Sequence, residues 1–206
     1  MPTELKTKNI TIELMGGLGN QMFQYAFYRN LQELGYNAMM DKVSWNWKTL
    51  KHGNNYQLSR LFHIEETYIN EPVHYIHSEH IHHRVYRLLK RKWGFGDLKV
   101  IRDNEWIELD DNQKLMVLDN HSVYFQGYWQ NEMFFKNISP ILQKEFRFKL
   151  PLEDNNKELL TKIKTMPSVG IQVRRYSKEN VQFNDLPLSY YHKAIQYMDA
   201  KINLLM

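Results

Sequence analysis

The chain of 206 residues has no cysteine, which excludes disulfides and thiolate metal sites. It has no run of about 18 apolar residues, so the sequence offers no membrane-spanning helix. Residues 1–9 lack the apolar core of a signal peptide, and the expected location is the cytoplasm. No internal repeat or low-complexity tract is visible. Charge of one sign is also scarce: 27 Lys and Arg stand against 23 Asp and Glu, a net charge of +4. No nucleic-acid motif accompanies that mild excess, so no nucleic-acid partner is expected. What is present is a hydrophobic content of 43% with 14% aromatics. That composition belongs to a globular chain with a sizeable core in one or two domains.

The most informative stretch is residues 15–25, Met-Gly-Gly-Leu-Gly-Asn-Gln-Met-Phe-Gln-Tyr. A largely apolar run leads into Gly16, Gly17 and Gly19. Behind them Met22, Phe23, Ala26, Phe27, Leu31 and Leu34 recur at helical spacing, and Gly35 stands where a helix often stops. The pattern predicts a strand, a glycine-rich turn and a helix, followed by a strand that ends near Asp41. Glycine lets backbone approach a ligand, and the free N–H groups of a first helical turn favour anions. A phosphate-bearing ligand is therefore the first functional expectation, against the plainer reading of a tight turn with no ligand. The turn is neither common phosphate loop. Asn20 and Gln21 follow Gly19 where a P-loop needs Lys and Ser or Thr, and Met22 occupies the third glycine position of a dinucleotide fingerprint. Asp41 matches the ribose-binding acid of such a fingerprint only loosely.

Further along, residues 80–92 combine His82, His83, Arg84, Arg87, Lys90, Arg91 and Lys92 with an apolar stripe of Ile81, Val85, Leu88 and Leu89. This reads as a basic amphipathic helix, suited to an anionic membrane surface or an acidic ligand, or simply as a domain helix with a solvated basic face. His77, His80 and His83 have helical spacing, but no ordered carboxylate–histidine motif joins them, so no metal site is assigned. Residues 115–118 and 123–125 are expected as short strands around a turn at 119–122. Ser139 is expected to cap a helix with Pro140 in its first position. A helix is expected from Asp154 to Met166, a strand through Val169, Ile171 and Val173, and a last helix capped by Ser189. The strand through Val169, Ile171 and Val173 delivers Arg174 and Arg175 to its carboxyl end, where open α/β sheets collect ligands. Their guanidinium groups suit a pyrophosphate, or form a surface pair at a strand end.

Three segments occur in a telling order: residues 16–27 (Gly-Gly-Leu-Gly-Asn-Gln-Met-Phe-Gln-Tyr-Ala-Phe), 127–135 (Gly-Tyr-Trp-Gln-Asn-Glu-Met-Phe-Phe) and 171–175 (Ile-Gln-Val-Arg-Arg). With 146–149 (Phe-Arg-Phe-Lys) and 188–195 (Leu-Ser-Tyr-Tyr-His-Lys-Ala-Ile), they resemble the bacterial α-1,2-fucosyltransferases of glycosyltransferase family 11. The resemblance covers most of residues 9–200, more loosely over 44–115. It implies an α/β, GT-B-like fold: one Rossmann-like N-terminal domain over residues 1–167, on the acceptor side, and an incomplete start of a second, GDP-fucose-binding domain over 168–206. It implies an inverting, metal-independent galactoside α-1,2-fucosyltransferase with no cofactor. Its partners would be the donor GDP-fucose, a nucleotide sugar, and a galactose-terminated acceptor in a surface glycan. By the same resemblance Arg174 is the catalytic group that neutralises the leaving pyrophosphate. Arg175 supports it, and Asn20, Gln172, Gly16, Gly17 and Gly19 complete the donor-binding set.

The chain departs from the family pattern His-x-Arg-Arg-Gly-Asp-Tyr. Gln172 replaces the His, and Tyr176 and Ser177 replace the Gly and Asp. Gln hydrogen-bonds but carries no charge, and losing Gly restricts backbone approach to phosphate. Family members continue beyond the position of Met206 with an acidic Ser-Asp-Asp strand and an Asn-Ser-Ser-Phe-Ser-Trp-Trp-like helix. The expectation is therefore a C-terminally truncated relative, from a frameshift or premature stop, with residues beyond about 168 poorly packed and turnover in question. The alternatives are a non-catalytic remnant or glycan-binding module of the same family, and a protein peripheral to the inner membrane, or binding a polyanion, through residues 80–92.

Overall fold

The computed structural model describes residues 6–42, 56–69, 98–151, 153–173 and 186–203. It divides into two compact units, Met1–Leu150 and Pro151–Met206. The predicted basic helix at 80–92, the histidine cluster and the Arg174–Arg175 pair lie outside the described residues.

The first unit is built on a four-stranded, all-parallel sheet in the order β2-β1-β4-β3, compatible with a Rossmann-like fold. Strand β1 spans Lys6–Glu13, helix α1 Leu18–Glu33 and strand β2 Tyr36–Asp41. This is the predicted opening, except that β1 begins earlier, through polar residues at its start. Gly35 sits at φ +85 just past the helix, a left-handed position that a side chain resists. A single turn, α2, spans Leu58–Leu61. Strand β3, Leu98–Arg102, runs into α3, Asp103–Glu108, and then α4, Asp111–Asn120. Strand β4, Ser122–Gln126, completes the sheet between β1 and β3. Two 3-10 turns, Glu132–Phe134 and Lys136–Ile138, precede α5, Ser139–Glu145.

The central strands are buried on both faces, as parallel strands usually are. Ile10, Ile12 and Leu14 alternate with Thr11 and Glu13, and all five are shielded from solvent. Val123 and Phe125 stand in register with Ile10 and Ile12. Phe27 of α1 packs edge-on against Phe125 at 5.1 Å between centroids, and Trp106 of α3 meets the same ring at 5.0 Å. Glu145 ties α5 to α1: Tyr25 Oη donates to it at 2.9 Å, and Arg29 Nε pairs with it at 2.9 Å. Burial, reinforced by Glu145, pushes the Tyr25 phenol well above its ordinary value. Burial alone would weaken the Arg29 charge, but hydrogen bonds to Glu145 and Glu33 more than offset it, so its pKa rises.

Two expectations are corrected in this unit. Residues 115–118 lie in α4, not in a strand. Asp110 and Gln113 form a reciprocal capping box, with Gln113 N–H to Asp110 at 2.8 Å and Asp110 N–H to the Gln113 side chain at 3.0 Å, which starts a helix just upstream. A short apolar run fits either state by pattern alone, and the cap decides it. The neighbour of β4 is instead β3, whose Val100 is 43% exposed at the sheet edge. Ser139 is the first helical residue of α5, with Ile138 at the cap.

In the second unit, α6 spans Asp154–Thr165 and α7 spans Leu188–Asn203. Residues 167–173 form no strand, which corrects the expectation from Val169, Ile171 and Val173. Alternation marks a strand only where a partner strand supplies hydrogen bonds. Among the described residues none pairs with them, and Ile171 and Val173 are exposed. Leu159, Leu160 and Ile163 of α6 are exposed as well. Ser189 is the second residue of α7 and so lies inside it.

Candidate functional site

In the order β2-β1-β4-β3, the chain leaves β1 through α1 to reach β2 on one side, whereas β4 lies on the other. The carboxyl ends of β1 and β4 thus flank a topological switch point, where open α/β sheets bind ligands. The glycine turn follows β1 at this point, and the Gly127-Tyr-Trp-Gln segment follows β4.

Only Gly16 of the three turn glycines needs to be glycine on backbone grounds. It sits at φ +79, and a Cβ there would lie 2.2 Å from Asn20 Nδ2. Gly17 is extended and precedes the first residue of α1, while Gly19 is already helical. A Cβ on either would meet nothing within 4 Å. The tight turn is therefore shorter than the glycine spacing implies, and Asn20 and Gln21 belong to the first helical turn. No side chain caps the N-terminus of α1 and no acid lies in its first turn, which keeps this end favourable to an anion.

Glutamine amides join the two strand ends. Gln24 is fully buried; its Oε1 accepts from Met15 N–H at 3.0 Å and its Nε2 donates to the Gly127 carbonyl at 2.9 Å. Gln21, also fully buried, donates to the Gly16 carbonyl at 3.3 Å and accepts from Gln57 N–H at 3.0 Å. Gln130 donates to Asn20 Oδ1 at 2.7 Å, so the asparagine amide is held from the β4 side. Gln126 donates to the buried Glu13 carboxylate at 3.1 Å.

The segment after β4 is strained. Gly127 has φ +149, and a Cβ there would come 2.6 Å from the Asp103 carboxyl carbon. Asp103 accepts the Tyr128 N–H at 3.1 Å. Trp129 adopts φ +56, a left-handed conformation that costs a bulky residue about 1–3 kcal/mol. Packing holds it there: its ring stacks on Phe27 at 4.1 Å and 11° and meets Phe125 and Phe134 edge-on. Its indole N–H is buried with no hydrogen-bond partner among the described residues.

The structure places the expected site residues unevenly. Gly16, Gly17, Gly19 and Asn20 come together at the switch point. Gln172 lies in the irregular, exposed segment of the second unit, and Arg174 and Arg175 are outside the described residues. Asp41, weighed as a ribose acid, is fully buried and accepts the Tyr124 hydroxyl at 2.8 Å, so it serves the sheet interior. Sequence reasoning missed Gln24, Gln130 and Asp103. Gln24 falls on the buried stripe of α1, and a polar residue at such a position is the signal for it. Among the described residues no group of three or more His, Asp or Glu could hold a metal, and no helix is long and apolar enough to cross a membrane.

Among curated proteins, the chain is similar to Alpha-1,2-colitosyltransferase of Escherichia coli, 27% identical over 213 residues. The match takes in 95% of this chain and 66% of that relative's length. No family model matches the chain, and no solved structure matches it.

Proposed function

We propose that the chain is part of a glycosyltransferase that moves L-fucose from GDP-fucose to the 2-hydroxyl of a terminal galactose in a surface glycan. The observation that carries the glycosyltransferase part of this reading is the likeness to Alpha-1,2-colitosyltransferase along 95% of the chain, and the fucosyl part rests on the motif resemblance. The glycine turn at the switch point supports it with a place for the donor. In this reading the acceptor oxygen attacks the anomeric carbon of fucose as the bond from that carbon to the diphosphate breaks. GDP leaves with the electron pair, the hydroxyl proton passes to a base or solvent, and the carbon inverts. No metal is invoked. The N-terminal turn of α1, with Gly16, Gly17, Gly19 and Asn20, lines the donor. Arg174 neutralises the leaving pyrophosphate and Arg175 supports it, because fixed cations stabilise charge that develops on the leaving group. Gln172 adds a neutral hydrogen bond. The protein would work in the cytoplasm, with residues 80–92 resting on the inner membrane face.

The relative's own name favours a second reading, with a colitosyl donor. L-colitose is L-fucose without one ring hydroxyl, so the two differ by a single polar contact. Incubation with each GDP-sugar and a galactose-terminated acceptor, read by mass spectrometry, tests both. Fucosylated product is the expected result, and colitosylated product alone would favour the second reading. No product with either donor, together with no calorimetric heat on titrating millimolar GDP, would sink the transferase reading. The non-catalytic alternative predicts glycan binding without product.

A further inference from the structure

Resting on the sugar-transfer reading, we propose that Tyr128 is a stacking platform for the apolar face of a pyranose ring. Four aromatic residues cluster at this strand end. Tyr124, Phe125 and Trp129 are fully buried, whereas Tyr128 is 43% exposed. A single exposed tyrosine is unremarkable by itself. Here Gly127 before it takes φ +149, which glycine adopts freely, whereas Trp129 after it is held at φ +56, a strained left-handed conformation for a bulky residue. Strain of this kind persists where the surroundings over-determine it, and it concentrates at ligand-binding sites. Its effect is specific: Trp129 turns inward onto Phe27, and Tyr128 and Gln130 on either side remain exposed. The Asp103 carboxylate pins the Tyr128 N–H at 3.1 Å, so the ring is displayed from a fixed backbone.

The chemistry at this edge fits a sugar. An aromatic face carries partial negative charge and attracts the positive C–H edges of a pyranose. Hydroxyls at the ring rim need groups that both donate and accept, and amides do both. Gln130, two residues on, is exposed and already paired with Asn20 at 2.7 Å. Asn131 and Glu132 are exposed too, so the tyrosine stands among polar neighbours.

The test is saturation-transfer NMR on the 206-residue chain with methyl β-D-galactopyranoside as probe, comparing wild type, Tyr128→Ala and Tyr128→Phe. Wild type and Tyr128→Phe should transfer saturation to the contiguous C–H face of the sugar, since stacking does not need the hydroxyl. Tyr128→Ala should weaken the apparent affinity at least tenfold while its urea midpoint stays at the wild-type value. Equal binding by Tyr128→Ala, or no transfer in wild type, would overturn the proposal. So would a loss of GDP binding in Tyr128→Ala with galactoside binding unchanged. Galactoside contact with neither fucosyl nor colitosyl transfer nor GDP binding would refute the transfer reading and leave the platform standing; transfer without that contact would do the reverse.

Discussion

Replacing Gln24 should break the first unit at its switch point, and the size of the loss follows from two hydrogen bonds. Gln24 is fully buried and bonds Met15 N–H at 3.0 Å and the Gly127 carbonyl at 2.9 Å. Gln24→Leu is close in volume, so little cavity is created, but it orphans a donor and an acceptor together. Each buried unsatisfied group costs about 1–3 kcal/mol, and the gain from the apolar side chain offsets part of that. A net loss of about 2–4 kcal/mol is expected. In urea, with a slope of about 2 kcal/mol per molar, the midpoint should fall by about 1–2 M. All five tryptophans precede Leu150, so their fluorescence follows this unit. Gln24→Glu adds a test of mechanism. A protonated carboxyl can accept from Met15 and donate to Gly127, whereas a carboxylate turns a negative charge on the Gly127 oxygen. The folded state should therefore raise this group's pKa above the unfolded value of about 4.3. A raised folded pKa gives stability that is complete below the unfolded value and lost as pH rises through the folded one. Gln24→Glu should thus lie nearer to wild type at pH 5 than at pH 8. A Gln24→Leu protein within about 0.5 kcal/mol of wild type, a typical surface-substitution effect, would refute the reasoning, as would a Gln24→Glu deficit independent of pH.

The turn glycines should separate folding from binding. Gly16→Ala should cost stability of about 1–3 kcal/mol, because it strains φ +79 and drives a Cβ into Asn20; thermal unfolding of each variant measures this. Gly17→Ala and Gly19→Ala meet open space and should unfold like wild type or slightly later, yet lower GDP affinity in calorimetry if donor phosphate approaches this backbone. Tyr25 and Tyr68 both have raised pKa values, chiefly from burial and then from hydrogen bonds to Glu145 and Glu66. Their contribution should be complete below the unfolded tyrosine value of about 10 and lost as pH rises above it, by up to about 1.4 kcal/mol per pH unit for the fully buried Tyr25. Urea midpoints at pH 9 and 11 should show the fall, and Tyr25→Phe should lessen it.

The opening βαβ unit was legible because three signals agreed over residues 10–41: an apolar run, helical spacing and a glycine at the helix end. Where signals were single, reading failed. Residues 115–118 match a strand by apolar run alone, but the Asp110–Gln113 box starts a helix through them. Val169, Ile171 and Val173 alternate correctly, but alternation says nothing about whether a partner strand is present. At the site, the glycine turn was legible, although Gly19 and Asn20 lie in the first turn of α1. The amides that fix it were not, because Gln24 and Gln130 act across separations of 103 and 110 residues that no local pattern records.

Those long-range amides also constrain what the turn can do alone. Residues 15–25 carry no charged side chain. The turn can offer an anion only backbone N–H groups, amide donors and the positive end of α1, whose partial charge is roughly half an elementary charge. A diphosphate bears more charge than that, and the deficit grows as the sugar bond breaks. Fixing Asn20 through Gln130 makes the turn a positioning wall, since neutral amides orient a ligand without neutralising it. Neutralisation then requires cations from another part of the protein, which is the role the Arg174–Arg175 pair fills in the transferase reading. If the transferase reading holds, the turn supplies geometry and the arginines supply charge, so removing either should leave the other's signature intact: lost orientation without lost salt sensitivity, or the converse.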